Sequence, residues 1–272
     1  VHRAIEEIEP HDSPERYRGL GVEVVHGDAW LQTPWEVRVG DRVLTTRHVI
    51  VATGARPRVP ELEGLEERDV LTSDNLWQLE ALPERLVVLG GGPIGCELGQ
   101  SFARLGSRVT LVEMGSQLLP REDHDIAKLV ETRLEAEGVR LALGARAVRV
   151  EPGPSHGDGG RVLVIEREGP QGAETERLVF DRLLVAVGRE ANVSGFGLEG
   201  LGVLPRANGT IDVDGTLRSL HPNIWACGDV AGPFQLTHAS AHQAWHATVN
   251  ALFGEFKRFN VDYRNLPAVT FC

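Results

Sequence analysis

The sequence has no stretch of about 18 apolar residues, the length a membrane-spanning helix needs, so no membrane span is expected. Val1 to Pro10 holds no apolar run, and no secretory leader is expected there. A basic excess is also missing: 28 lysines and arginines stand against 39 acidic residues, for a net charge of -11. Phosphate repulsion then argues against a nucleic-acid partner, because such proteins usually present a basic face. An acidic chain can still take a dinucleotide, since a helix N-terminus and loop amides hold phosphate without net charge. Cysteine is scarce. Cys96, Cys227 and Cys272 lie far apart and no CxxC occurs, so neither a zinc nor a redox motif is visible. Scattered cysteines fit a reducing cytoplasm better than a secreted disulfide scaffold, and a cytoplasmic location is expected. Met114 is the only methionine; with none at position 1, the chain reads as an internal piece of a longer protein or a processed one.

What is present suffices for two domains. A chain of 272 residues can build two cores, and 42% hydrophobic with 25% charged residues is an ordinary globular balance. Val22 to Val25, Trp35 to Val39 and His48 to Ala52 read as strands, being apolar or alternating and rich in β-branched residues. Pro57 and Pro60 then interrupt regular structure and mark a crossing between domains. Ser73-Asp74-Asn75 suits the start of a short helix.

From Leu86 the pattern is strand (to Leu89), glycine loop, helix (Ile94 to Leu105, stopped by Gly106), strand (Arg108 to Val112), helix (Asp125 to Glu137, stopped by Gly138) and strand (Val139 to Leu143). This β-α-β-α-β order predicts a parallel, doubly wound sheet. Ala145 to Phe180 changes to alternating strands, with a Pro/Gly-rich loop at residues 152–160, and predicts a small antiparallel meander. Leu183 to Val187 is a buried strand ending at Gly188; Ile211 to Val213 and Ala268 to Phe271 are strand-like, and His238 to Phe253 is helical.

The stretch LVVLGGGPIGCELGQSFARLGSRVTLVE, Leu86 to Glu113, carries the chemistry. Gly90 permits the tight turn from strand to helix, Gly92 lets the backbone approach a pyrophosphate, and Gly95 lets helix and sheet pack closely. Amides at the helix start face the phosphates, and the helix dipole adds attraction. The acid at Glu113 follows at roughly the 20-residue spacing of a ribose-binding carboxylate. It would repel a 2′-phosphate, and no Arg or Lys occupies Met114 to Pro120, so NAD(H) is favoured over NADP(H). A glycine-rich turn that binds nothing is the alternative.

Four motifs in order, ATGARP at Ala52, GGGPIGCE at Gly90, LLVAVGREANV at Leu183 and WACGDV at Trp225, resemble the flavoprotein pyridine nucleotide–disulfide oxidoreductases, the family of dihydrolipoamide dehydrogenase, mercuric reductase and glutathione reductase. The resemblance implies an α/β, FAD/NAD(P)-binding, Rossmann-like three-layer fold with an NAD domain inserted in a partial FAD domain. Residues 1–70 and 189–255 would be FAD-domain pieces, 71–188 the insertion, and 256–272 the start of an interface domain. For NAD the resemblance implies Gly90, Gly91, Gly92, Pro93, Ile94, Gly95, Glu97, Glu113, Val148 and Gly188. For FAD it implies Ala29, Thr53, Gly54, Ala55, Asp229, Leu236, Thr237, His238 and Ala239. Glu97 would support the flavin–nicotinamide region, where family members pair this acid with a lysine.

The resemblance further implies hydride transfer between NAD(H) and FAD, a small-molecule or thiol/disulfide substrate, and a homodimer in the intact protein. Departures from the family are the absent FAD phosphate loop, the absent CxxxxC pair with its lysine, the absent interface domain with its His-Glu pair, and Pro93 where some members carry a gating Tyr. No catalytic residue is therefore assigned, FAD should be held weakly, and a monomer or weak dimer is expected. A catalytically inactive NAD(H)-binding module, or a diaphorase or flavin reductase, is the alternative function. Of the other features, Cys96 and Cys227 read as packing residues. His238, His242 and His246 form a helical stripe that could hold a metal, although none is assigned. Glu6 to Glu9 reads as a solvated face.

Overall fold

The computed structural model describes residues 2–153, 160–169 and 172–272. The chain divides into two compact units, Val1–Arg56 with Glu190–Ala268, and Pro57–Arg189 with Val269–Cys272.

The first unit opens with helices α1 (His2–Asp12) and α2 (Pro14–Gly19), on which no residue is buried. The sequence predicts no element here because it offers no apolar stripe, and α1 indeed has no buried face. Ser13 caps α2 by accepting the Arg16 amide, with Pro14 at the first helical position. Strands β1 (Ala29–Thr33), β2 (Glu36–Val39) and β3 (Arg42–Thr45) form an antiparallel sheet. The expected strand at Val22 to Val25 joins no ladder. β-Branched residues favour an extended backbone but do not supply a pairing partner, and Val22 is exposed. Strand β4 (Val49–Val51) follows, then β5 (Ala55–Pro57), after which the chain enters the second unit.

The second unit contains β6 (Val70–Leu71), β7 (Arg85–Leu89), helix α3 (Pro93–Leu105), β8 (Arg108–Val112), helix α4 (His124–Ala136), β9 (Arg140–Ala142), β10 (Ala145–Pro152), β11 (Arg161–Gly169), β12 (Gly172–Phe180) and β13 (Arg182–Val185). A parallel sheet runs in the order β6-β13-β7-β8-β9. Both helices terminate as their glycines require, Gly106 and Gly138 lying at φ +110 and +89. Strands β10, β11 and β12 form the expected antiparallel meander; most of the loop anticipated between the first two lies outside the described residues.

Three layers result. Cys96 and Phe102 of α3 and Leu134 of α4 pack with Leu86, Val88 and Leu111 on one face of the parallel sheet. Leu163, Ile165, Leu178 and Phe180 of the meander pack with Val87, Leu89, Val112 and Val185 on the other. The alternation along β7 decides this division, since neighbouring residues of a strand point to opposite faces. Truncating one of these buried leucines to Ala would cost about 2–5 kcal/mol. Residues 57–70, grouped by sequence with the flanking pieces, belong to this unit: Leu62 and Leu65 pack on the meander core and β6 extends the sheet edge.

After β14 (Arg189–Ala191), the chain supplies the first unit with β15 (Ile224–Ala226) and helix α5 (Thr237–Phe253). Strand β15 pairs parallel with β4, and Val51, Trp225, Ala226, Ala247 and Ala251 share one core. Ile211 to Val213 makes only an isolated bridge, Pro205 to Ile211, and Ala268 to Phe271 forms no strand. Neither segment finds a continuous partner to pair with. No described helix is long and apolar enough to cross a membrane.

Candidate functional site

The chain proceeds outward from β7 through β8 to β9, then returns to place β13 on the opposite side of β7. The C-terminal edge of the β13–β7 pair is thus a topological switch point, where open α/β sheets leave a crevice. Leu89, Val112 and Val185 end their strands together there: Gly90 donates its amide to the Val112 carbonyl at 2.8 Å, and Ala186 donates to Leu89 at 2.8 Å.

Each glycine of the loop meets a different constraint. Gly90 has φ +107, and a Cβ there would lie 2.5 Å from the Ala186 carbonyl oxygen. A Cβ on Gly95 would stand 1.9 Å from the Gly90 oxygen, so helix and loop could not approach as they do. A Cβ on Gly92 would meet nothing within 4 Å, which leaves open space before the helix. Gly92 is also the N-cap of α3 and gives no side-chain bond to its first turn, while Pro93 occupies the first helical position. Ile94 is half-buried behind it.

Glu113 sits beyond the tip of β8 and is held by the loop itself. Its Oε2 accepts the Gly91 amide at 2.6 Å and its Oε1 accepts the Gly115 amide at 2.7 Å. A carboxylate has about four lone-pair positions, so acceptor capacity remains for hydroxyls. Gly91 received no separate role from sequence, yet a Cβ there would come 2.6 Å from Leu118 and 3.1 Å from Glu113. Its carbonyl also accepts the Leu119 amide at 2.8 Å and the Cys96 thiol at 3.4 Å. Leu118, Leu119 and Glu131 were missed by sequence. Glu131 is buried and accepts the Leu118 amide at 3.1 Å, a partner 13 residues away that helical periodicity does not reveal.

Val148 and Gly188 occupy distinctive backbone positions. Ala147 pairs with Ile165 and Arg149 with Val164, so Val148 is the extra residue of a β-bulge. Gly188 has φ +124, has nothing within 4 Å of a would-be Cβ, and accepts the Arg58 amide at 3.0 Å. Glu97 is half-buried on α3, and its Oε1 accepts the Phe271 amide at 2.9 Å.

In the first unit, β4 and β15 are parallel and end together, which brings Thr53-Gly54 and Gly228-Asp229 to one edge. The Cys227 amide donates to the Val51 carbonyl at 3.0 Å. Asn192 clamps the Thr53 turn: its carbonyl accepts the Thr53 hydroxyl at 2.7 Å, and its side-chain amide donates to the Thr53 carbonyl at 2.9 Å. Gln243, fully buried, accepts the Gly228 amide at 2.6 Å and donates to the Gly232 carbonyl at 2.6 Å. Neither polar residue was distinguished by sequence, because an Asn in a loop and a Gln in a helix are common surface choices.

Ala55 begins β5, directly after the Thr53-Gly54 turn. Leu236 is the N-cap of α5 and, like Gly92, gives no side-chain bond; Thr237, His238 and buried Ala239 form the first turn. Ala29 belongs instead to the separate β1–β2–β3 sheet.

The histidine stripe is occupied by protein contacts. His242 reaches the Asp262 carbonyl at 3.2 Å, His246 reaches the His242 carbonyl at 2.9 Å, and the two rings are 4.6 Å apart. Among the described residues no group of three or more His, Cys, Asp or Glu side chains is arranged to hold a metal. Burial pushes the Cys227 thiol above its usual range, consistent with a packing role.

The family profile for pyridine nucleotide-disulphide oxidoreductases matches residues 13–244. The chain is 38% identical over 236 residues to a dihydrolipoyl dehydrogenase of Thermus scotoductus, covering 86% of this chain and 50% of that protein. It is 36% identical over 268 residues to a mercuric reductase of Streptomyces lividans, covering 94% and 54%. Among solved structures, the HOCl-induced flavoprotein disulfide reductase RclA from Escherichia coli superposes with a TM-score of 0.85 at 31% identity, covering 99% of this chain and 60% of that one. This chain thus spans about half the length of the curated relatives it matches. With the profile running through both units and the glycine loop of the parallel sheet, the chain belongs to the pyridine nucleotide-disulphide oxidoreductase family.

Proposed function

We propose that this chain carries the NAD(H) site, and part of the FAD site, of an oxidoreductase passing hydride between NAD(H) and FAD and electrons onward to a small-molecule or thiol/disulfide acceptor. The carrying observation is the opening of α3 at the switch point, where the Gly92 N-cap faces open space and Glu113 is fixed by two loop amides. The first-turn amides of α3 would hold the pyrophosphate, and the helix dipole favours the anion. Glu113 would accept both adenosine ribose hydroxyls and repel a 2′-phosphate, which favours NAD(H).

Residues 71–188 are proposed as the inserted NAD domain, 1–70 and 189–255 as FAD-domain pieces, of which 57–70 pack with the second unit as its lead-in, and 256–272 as the start of an interface domain. For FAD, Thr53, Gly54, Ala55, Asp229 and the α5 first turn are proposed as contacts, with Ala29 toward the adenine. No side chain caps the α5 N-terminus, as none caps that of α3, and Gly228, at φ +81, lets the strand turn beside Ser240. Hydride exchange between nicotinamide and flavin is the chemistry the bound cofactors supply. This chain's residues would anchor the phosphates, orient the ribose through Glu113, and leave room for the nucleotide at Gly188. The short β4–β15 pair favours a second reading, in which the 29.7 kDa chain alone binds NAD(H) and retains no flavin.

Fluorescence titration of the purified chain with NADH and NADPH tests the nucleotide reading. NADH should bind more tightly, and Glu113→Ala should weaken it roughly tenfold or more, as expected for losing a charged hydrogen-bond acceptor. Equal or tighter NADPH binding would reverse the assigned preference; binding of neither would remove the site. An absorption spectrum of the same sample, before and after FAD addition, separates the flavin-loaded reading from the NAD-only one.

A further inference from the structure

Cys96 and Cys272 are remote in sequence but adjacent in the second unit. Cys96 lies in the first turn of α3 and is fully buried, whereas Cys272 is exposed. Their neighbours are joined directly, the Phe271 amide donating to Glu97 at 2.9 Å. The two thiols are neighbours: the Cys96 thiol, which donates to the Gly91 carbonyl at 3.4 Å, lies within interaction range of the Cys272 sulfur. All three cysteines of the chain are free, and Cys227 belongs to the core of the first unit.

We propose that Cys96 and Cys272 form a peroxide-oxidisable thiol pair whose disulfide clamps residues 269–272 onto the first turn of α3. The two sulfurs are unlike. The neighbouring Cys96 thiol lowers the Cys272 pKa against burial and the Glu97 charge, and Arg104 also favours the thiolate. The same proximity, burial, and the carboxylates of Glu113 and Glu97 push Cys96 up, so it keeps its proton. Exposure and thiolate character together make Cys272 the attacking sulfur and Cys96 the resolving one.

The Cys272 thiolate attacks one oxygen of hydrogen peroxide: an S–O bond forms, the O–O bond breaks, and the departing hydroxide is protonated to water. Cys96 then attacks the Cys272 sulfenic sulfur: an S–S bond forms, the S–O bond breaks, and the leaving hydroxide takes the Cys96 proton as a second water. The two thiols together lose two electrons and two protons, and one peroxide is reduced to two waters. The product ties residues 269–272 to the helix whose N-terminus borders Gly92, so the oxidation state of the pair is coupled to the geometry of that turn.

The test is thiol counting with peptide mapping after the reduced chain meets one equivalent of hydrogen peroxide. The expected result is loss of two of the three thiols, a Cys96–Cys272 cross-linked peptide, and full reversal by dithiothreitol. Cys272→Ser, which alters an exposed position, should retain both remaining thiols under the same dose. Cys96→Ala should leave Cys272 as a sulfenic acid that dimedone traps. Over-oxidised Cys272 beside a reduced Cys96, a cross-link through Cys227, or disulfide-linked pairs of chains in place of the internal bond would each overturn the proposal.

Discussion

The two units meet the same architectural problem with different resources. In the second, the opening of α3 follows the central strand of a five-stranded parallel sheet, with the Gly90 amide tied to Val112 and the Gly91 amide to the Glu113 carboxylate. In the first, the opening of α5 rests on a parallel pair of three-residue strands, β4 and β15. Two strands alone are marginal. Gln243 and Asn192 hold the turns there by hydrogen bonds, as Glu113 holds Gly91 and Gly115 in the second unit. Polar side chains therefore hold the turn in both units, but only in the second does a five-stranded sheet stand behind it.

Matched glycine substitutions break this comparison most strongly. Gly95→Ala forces a Cβ to within 1.9 Å of a carbonyl oxygen and should destabilise the second unit by about 1–3 kcal/mol, with loss of NADH binding. Gly228→Ala meets the Ser240 hydroxyl at 3.2 Å and must hold φ +81, for a cost of about 1 kcal/mol or more in the first unit. Urea unfolding of both variants, beside NADH titration, reads the contrast; equal costs would show that the frames are equally rigid.

Acid sharpens the comparison next. The Arg85 guanidinium bonded to Asp181 holds that carboxyl below the usual carboxylate range, despite partial burial. Asp181 also accepts the Arg85 amide at 2.7 Å, which straps β7 to β13 at the edge opposite the candidate site. A depressed native pKa means this stabilisation is complete above the unfolded value of 3.8 and is lost as pH falls through the lowered native value. Asp181→Asn should lower the melting temperature at neutral pH, and the difference should begin to shrink as pH falls below about 4 and vanish only below the lowered native value. A constant difference across that window would show that the carboxylate charge is not what matters. Thr53→Val carries the smallest expected effect: losing the hydroxyl bond to Asn192 should cost about 1 kcal/mol in the first unit and leave NADH affinity unchanged.

What could be read in advance follows from how local each constraint is. The parallel sheet, both of its helices and the meander were legible, because periodicity and helix-stopping glycines act within a few residues. Gly95 was legible for the same reason, answering to the Gly90 carbonyl within its own turn, whereas the carbonyl that crowds Gly90 is brought in from Ala186. Asn192, Gln243 and Glu131 were not, since their partners are brought in by the fold from distant positions. The Cys96–Cys272 approach was equally hidden, and led to a packing reading for Cys96 that accounts for its burial but not for its neighbour. Helices α1 and α2 escaped notice because they bury nothing.

The bulge at Val148 makes a strand change step. Before it, the odd-numbered Ala145 and Ala147 pack toward the meander core; after it, the even-numbered Val150 does. A strictly alternating strand would have to choose one parity, and half of β10 would then turn its apolar residues to solvent. Position 148 thus works as a punctuation mark whose presence counts more than its side chain. Exchanging Val148 for another β-branched residue preserves the phase, whereas deleting it shifts every residue on one side of the bulge by one place. The length of β10, as much as its composition, is what lets both of its halves reach a single core.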